Sequence, residues 1–377
     1  MKSISERHPN KFGCPIKYKV AKATPARRAF AEALASWISR EHPISIGCKR
    51  ILALVCLALL ATSAAAFDKV GTTAAQFLQI GVGARLTGLG GAGVAAAEGA
   101  DALYWNPARL AQARQFALGA YYANWIADLR HQFIGLAVPI SSSGTVGLFA
   151  LTLGGDEFEQ TTLTFQEGNG VMVEYRDMAV GAALAYQLTD RFSAGGTVKY
   201  IHQKLFAETA STYAVDLGTS LRTDLRGFSI GMAMTNLGGE MKLTGRDLLT
   251  SGPYETSTEY QMSEWPLPLT FQVGVAWRLW GKEEAFWKDR YHGALVVFDG
   301  QHLNEGMTRW RTGVEYNFME RLFLRMGKVF EHDTEDWSFG AGLRIPIADY
   351  VIQADFAYAD MGDLEKVQRV SVALGGR

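Results

Sequence analysis

Cysteine is nearly missing from this chain. Its three residues, Cys14, Cys48 and Cys56, all lie near the start. Everything downstream has no thiol, so no disulfide framework, zinc–thiolate site or Fe–S cluster can be built there. Charge of one sign is also missing. The formal net charge is −1 over 377 residues, without the basic footprint that nucleic-acid binding requires. Prolines number 10 against 40 glycines, with aromatics at 11%. Disordered and collagen-like chains do not combine those values; a protein of many β-strands does. No apolar run reaches the roughly twenty residues that a membrane-spanning helix needs.

The longest apolar run, Ile51–Ala66, is preceded by Cys48-Lys49-Arg50 and ends in small residues at Ala64 and Ala66. A short basic region, an apolar core and small terminal residues predict a secretory signal peptide over 48–66, cleaved before Phe67. Val55 rather than a small residue precedes Cys56, which argues against a lipoprotein signal. Residues 1–47 are polar and basic and are read as an N-terminal extension. Two origins fit them: a start site assigned too far upstream, or a long n-region.

From Gln115 onward the chain alternates with period two in segments of about ten residues, the signal of half-buried strands. In TRWRTGVEYNF, one face carries Trp310, Thr312, Val314, Tyr316 and Phe318. The other carries Arg309, Arg311, Gly313, Glu315 and Asn317. STYAVDLGTSLR, WSFGAGLRI and DYVIQADFAYAD behave in the same way. A soluble sandwich would bury the apolar faces, whereas a membrane barrel turns them to lipid and keeps the polar faces for a lumen.

The spacing predicts fourteen strands, at 115–124, 131–140, 144–154, 176–188, 191–205, 211–222, 227–236, 269–279, 290–299, 308–318, 321–330, 336–345, 350–360 and 366–375. An even count of segments long enough to cross at a tilt suits an outer-membrane barrel. Links after strands two, four, six, ten and twelve are short, whereas those after three and seven, 155–175 and 237–268, are long. With the N-terminus on the periplasmic side, this parity places short turns inside and long loops outside. The link after strand eight, WGKEEAFWKDR, is a longer exception. Tyr121, Tyr122, Trp125, Tyr200, Trp277, Trp280, Trp287, Trp310, Phe318, Phe330 and Trp337 fall near strand ends, where interfacial aromatic belts belong. The expected fold is therefore an all-β, antiparallel, 14-stranded transmembrane barrel over 115–377, in lipid of a Gram-negative-type outer membrane.

The inward face is then rich in charge: Lys199, Asp216, Arg222, Arg309, Arg311, Glu315, Arg325, Arg344, Asp355 and Arg369. Mixed signs predict cross-strand ion pairs rather than a strongly ion-selective pore. Catalytic chemistry finds no foothold. His131, His202, His292, His302 and His332 lie on different segments without ligand spacing, and no H-E-x-x-H occurs. No enzyme activity, metal or cofactor is expected, and no nucleic acid partner.

One segment remains, 67–114, between the signal peptide and the first strand. It contains GLGGAG, Gly88–Gly93, which matches the G-x-G-x-x-G spacing of dinucleotide-binding loops. Neither a leading hydrophobic strand nor a following βαβ unit is present, so nucleotide binding lacks its context. The longer stretch AAQFLQIGVGARLTGLGGAGVAAAEGADALYWNPARLA, residues 74–111, resembles the N-terminal signature of PorV/PorQ-type outer-membrane proteins. Those belong to the superfamily of the fatty-acid transporter FadL. LTDRFSAGGTVKYIHQKL (188–205) and MTNLGG (234–239) are similar to the same family. Two departures stand out: Arg109 replaces a common glycine after Asn-Pro-Ala, and the sequence ends in Gly-Gly-Arg rather than an aromatic.

The resemblance implies a fourteen-stranded barrel whose N-terminal segment folds inward as a hatch. Gly88, Gly90, Gly91, Gly93, Asp101, Trp105, Asn106 and Pro107 are its expected key residues. It also implies a role in protein export of the type IX secretion kind, with a translocon and exported cargo as partners. The loops 155–175 and 237–268 would then be contact surfaces, with Trp265, Pro266 and Pro268 stiffening the second. The alternative is FadL-like uptake of hydrophobic small molecules, through a pocket near Phe77, Leu78 and Tyr104.

Overall fold

The computed structural model describes residues 71–245, 249–251, 257–259, 262–282, 284–306, 308–332, 334–364 and 366–376. The extension 1–47, the signal segment 48–66 and residues 67–70 lie outside these. Fourteen long strands run in chain order: β1 Ala117–Asn124, β2 Arg130–Pro139, β3 Gly144–Gly154, β4 Tyr175–Gln187 and β5 Phe192–Leu205. Next come β6 Glu208–Arg222, β7 Phe228–Gly238, β8 Thr270–Gly281, β9 His292–Leu303 and β10 Thr308–Phe318. The last four are β11 Leu322–Phe330, β12 Trp337–Ile347, β13 Tyr350–Asp360 and β14 Lys366–Gly376.

Every consecutive pair is antiparallel, and β14 returns to β1 in the register Ala117↔Gly375 to Asn124↔Gln368. The sheet is thereby closed. Closure matters because an open edge in hydrocarbon would leave rows of backbone N–H and C=O groups unpaired, each costing several kcal/mol. Strand lengths run from 8 to 15 residues, enough to cross the apolar layer at a barrel tilt.

The exposure pattern is inverted relative to a soluble protein. Ile134, Leu136, Leu148, Val198, Val314, Leu324, Phe339, Leu343, Phe356 and Val372 are exposed on the outer face. On the opposite face Lys199, Asp216, Glu315, Arg325 and Asp355 are buried. Water would punish such an apolar exterior, whereas lipid requires it.

Two strand ends differ from the sequence expectation by three residues or more. β6 begins at Glu208 rather than 211, and β9 continues to Leu303 rather than stopping at 299. Asp299-Gly300-Gln301-His302 reads like a turn in isolation. In the barrel Leu303 pairs with Thr270 and Gln301 pairs with Arg309. Asp299 and Gln301 point inward, where polar groups are welcome. Tyr121 also departs from the belt expected of it. In the pair Tyr121-Tyr122 alternation turns one ring inward, and Tyr121 is buried, stacked on Phe133 at 5.4 Å.

Residues 71–114 fill the lumen with short turns rather than long helices: a 3₁₀ turn at Gln76–Gln79, α1 Ala84–Thr87, a 3₁₀ turn at Gly99–Asp101 leading into α2 Ala102–Trp105, and a third 3₁₀ stretch at Pro107–Gln112. Their first residues sit at the end of the barrel that bears the long links. There the Ala74 N–H donates to the Pro266 carbonyl at 2.9 Å, and the Thr73 hydroxyl to Glu305 at 2.7 Å. The N-terminal placement assumed from loop parity is thus corrected. The segment enters at the long-link end, and only its exit, where Gln112 donates to Ser220 at 3.3 Å, lies at the short-link end. Parity is unaffected, since it depends only on where β1 starts.

Candidate functional site

The plug is held by close backbone approach and by buried charge. Gly90 and Gly91 both have φ of +72°, a conformation that a side chain resists. A Cβ on Gly90 would lie 2.9 Å from the Lys328 nitrogen and the Thr312 carbonyl. The wall answers with its own glycines: a Cβ on Gly327 would strike the Gly90 nitrogen, and one on Gly313 would strike Leu89. A Cβ on Gly88 would meet Gly340 at 3.2 Å, and one on Gly93 would meet the Trp105 ring at 2.7 Å. Glycine faces glycine because only then can the two backbones touch.

The N–H groups of this run already have partners. Gly90 donates to the Thr87 carbonyl at 3.1 Å and to Ser338 Oγ at 3.0 Å, and Gly91 donates to the Leu86 carbonyl at 2.9 Å. A phosphate would find these donors used.

Asn106 is fully buried and satisfies three groups at once. Its amide donates to the Val94 carbonyl (2.8 Å) and the Thr219 carbonyl (3.1 Å), and its oxygen accepts the Ala108 N–H at 3.1 Å. Pro107 follows at the first position of the 3₁₀ stretch, where a missing N–H costs nothing. Trp105 donates to the Val82 carbonyl at 2.9 Å. Asp101 hydrogen-bonds with Tyr121, which explains the inward turn of that ring.

The charges divide into groups. Glu315 on β10 accepts from Arg85 of α1 at 3.1 Å and from Arg325 on β11 at 2.6 Å; Arg325 also reaches Asp355 on β13 at 2.7 Å. Gln353 donates to Asp355 at 2.8 Å and accepts from Arg344 at 2.8 Å. Lys199 pairs with Asp216 at 2.7 Å beneath the long link, where Asn236 joins them. Arg311 donates to the Gly91 carbonyl at 3.4 Å, and Arg369 lies over the Trp125 ring. Arg309 shares the inward face with Arg311 but is only partly buried. Arg222 stands apart at the short-link rim, donating to the Asp190 carbonyl at 2.6 Å.

Sequence reading missed three participants. Asp299 accepts the Val94 N–H at 2.9 Å, and Glu98 of the plug pairs with Arg278 of the wall at 2.5 Å. Alternation along β8 would have turned Arg278 inward; Glu98 carried no such signal. The sequence also holds a G-x-S-x-G spacing at Gly227–Gly231, contrary to the expectation that no such nucleophile elbow occurs. Ser229 lies in the ladder of β7 rather than at a strand-to-helix elbow, and its hydroxyl donates to the Ala276 carbonyl at 3.4 Å.

Space around the plug is unequal. Toward the short links lie vestibules of about 560 Å³, lined by Arg85, Asp101, Arg344 and Asp355, and about 500 Å³, lined by Arg109, Arg222, Arg278 and Glu98. Beside Leu78 and Tyr104 the cavity measures about 30 Å³, and another beside Trp105 and Arg311 is of similar size. The Tyr104 hydroxyl donates to the Leu78 carbonyl at 2.9 Å, closing that corner.

Both long links carry short antiparallel ladders. Phe158–Glu159 pairs with Met172–Val173, and Glu240–Met241 pairs with Trp265–Pro266. Trp265 and Pro266 are exposed, whereas Pro268 is buried and its carbonyl accepts from Asn236 at 2.9 Å.

A closed fourteen-stranded barrel with an apolar exterior and a plugged lumen defines an outer-membrane protein of FadL-like fold. The family is more specific: the type IX secretion system protein PorV family matches residues 63–255, and the chain belongs to that family. Among curated proteins no sequence matches it. Among solved structures it is similar to the CymD monoaromatic hydrocarbon channel, 12% identical over 79% of this chain and 97% of that one, TM-score 0.53. It is similar also to the Ralstonia pickettii toluene transporter TbuX, 14% identical over 78% and 97%, TM-score 0.51. Those likenesses concern the fold. PorV and FadL-like families are transport and secretion barrels rather than enzymes.

Proposed function

We propose that this barrel serves protein export as a plugged accessory of a secretion translocon, engaging the translocon or its cargo through the links 155–174 and 239–269. The observation that carries the reading is family membership joined to a tightly held plug. Cavities at the level of Trp105 are about 30 Å³, against the roughly 300–1,000 Å³ of a ligand pocket, and the vestibules of about 560 and 500 Å³ lie only toward the short links. Trp265 and Pro266, exposed on a paired ladder, suit a contact surface, since aromatic anchors dominate protein interfaces.

Uptake of hydrophobic small molecules is the second reading, favoured by the likeness of fold to hydrocarbon channels. Recovery of the tagged barrel from outer membranes separates the two. Export expects co-purification of a translocon or cargo protein, and cargo retained in the periplasm after deletion. Normal secretion in the deletion strain, with slowed uptake of a long-chain or aromatic hydrocarbon, would move the assignment to uptake.

A further inference from the structure

The link after β8 is the one short-side connection that does not fit a tight turn, and its length has a structural use. Residues 284–291 fold back beside β8, with Trp287–Lys288 pairing in parallel with Trp280–Gly281. The Phe286 N–H donates to the Arg278 carbonyl at 2.9 Å, and the Asp289 N–H to the Gly281 carbonyl at 2.8 Å. This places four aromatic rings together. Trp280 stacks on Trp287 at 5.6 Å, Phe286 meets Trp287 edge-on at 4.7 Å, and Trp277 meets Phe286 at 5.6 Å. Trp277 and Trp280 pair with Val296 and Ala294, which lie on the outer face of β9. The cluster is therefore continuous with the lipid-facing band, at its short-link border.

Charge completes the patch. The acids near it are mostly occupied: Glu320 holds Lys282 at 2.6 Å, Glu284 faces Arg222 and Arg278, and Asp289 accepts the Tyr291 and His292 N–H groups. Lys288 and Arg290 are exposed, and among the described residues neither forms an ion pair; Arg290 lies over the Tyr291 ring. Indoles at the headgroup level beside two exposed cations match the chemistry of an anionic phospholipid.

We propose that Trp280 and residues 284–291 form a headgroup site for an anionic phospholipid of the periplasmic leaflet, with Trp280 and Trp287 against the acyl–glycerol region and Lys288 and Arg290 on the phosphate. The outer-membrane loop rule places this border toward the periplasm. The inference does not depend on the export reading.

The test uses the purified barrel in phosphatidylcholine nanodiscs with or without a minor fraction of phosphatidylglycerol. Retained phosphatidylglycerol is counted by native mass spectrometry, and the unfolding temperature is read from heat-modifiable gel mobility. The wild type should retain the anionic lipid and unfold at higher temperature in its presence. The double variant K288Q/R290Q should remain folded, lose that thermal gain and retain roughly twenty-five-fold less, since each of the two basic contacts with an anionic surface is worth about fivefold. K366Q, at the opposite rim, should behave as wild type. Equal retention by wild type and double variant would overturn the proposal. So would an equal loss in K366Q, which would mean general charge, and so would a protein cross-linked to Trp287 in native membranes with lipid binding unchanged.

Discussion

Arg85 in the plug donates through Nε to Glu315 on the wall, 3.1 Å away, across 230 residues of sequence. Both side chains are buried, and Glu315 also takes Arg325 at 2.6 Å. One carboxylate thus fastens the plug to β10 and β10 to β11. Replacing Glu315 with Ala would take a carboxylate from two buried guanidinium groups, leaving Arg325 with Asp355 and Arg85 with the Ala96 carbonyl. A loss of about 3–5 kcal/mol is expected, the usual cost of breaking a buried pair from one side. Equilibrium urea unfolding in detergent or vesicles measures it, and a loss below about 1 kcal/mol would mean the pair is loosely solvated.

Gly90→Val should disturb the plug more than the wall. Its φ of +72° and the 2.9 Å approach to Lys328 and Thr312 leave no place for a branched side chain. Raised single-channel conductance, or poor barrel assembly on heat-modifiability gels, is the expected result. Unchanged conductance in a fully assembled barrel would contradict the packing described.

Asn106→Ala removes partners from the Val94 and Thr219 carbonyls and from the Ala108 N–H. Leaving buried polar groups unmatched costs about 1–3 kcal/mol each. The plug should open locally, visible as faster hydrogen exchange over residues 94–110, with the strand amides far from the plug unchanged.

Trp265→Ser probes the contact surface of the second long link. The side chain is exposed, so the unfolding temperature should stay within a degree or two. Recovery of the export partner should fall several-fold. A variant that binds the partner as well as wild type would move the contact elsewhere.

The hairpin of the first long link has a tether that depends on pH. Glu174 takes the Lys204 ammonium at 2.6 Å and Arg176 at 3.1 Å, and the hydrogen bond from Lys204 holds its carboxyl below the usual glutamate range. A depressed folded pKa gives a tether that is complete above the unfolded glutamate pKa and lost as pH falls through the folded one. Protease nicking of 155–174 should therefore be constant from neutral pH to about pH 5 and rise toward pH 3. Glu174→Gln should nick at one rate across that range.

What the sequence determined by itself is whatever has a period. Alternation decides which face each strand residue occupies, so Arg309, Arg311, Glu315 and Asp355 were legible as inward groups, and the fourteen strands and their closing parity followed. The one ambiguity, Tyr121 beside Tyr122, arose where two aromatics are adjacent and alternation cannot choose between them. GLGGAG was legible only as glycine density, because a run without strand or helix period carries no direction.

Tertiary structure decided the pairings inside the lumen. Ala84 meets Ser371 across 287 residues, and Val94 meets Asp299 across 205. No local rule spans such distances. The glycines of the plug meet those of the wall because closure of the sheet brings β10, β11 and β12 around it. Glu98 finds Arg278, and Arg85 finds Glu315, for the same reason. A barrel's faces are written along each strand, but the partners across its lumen exist only once the ring has closed.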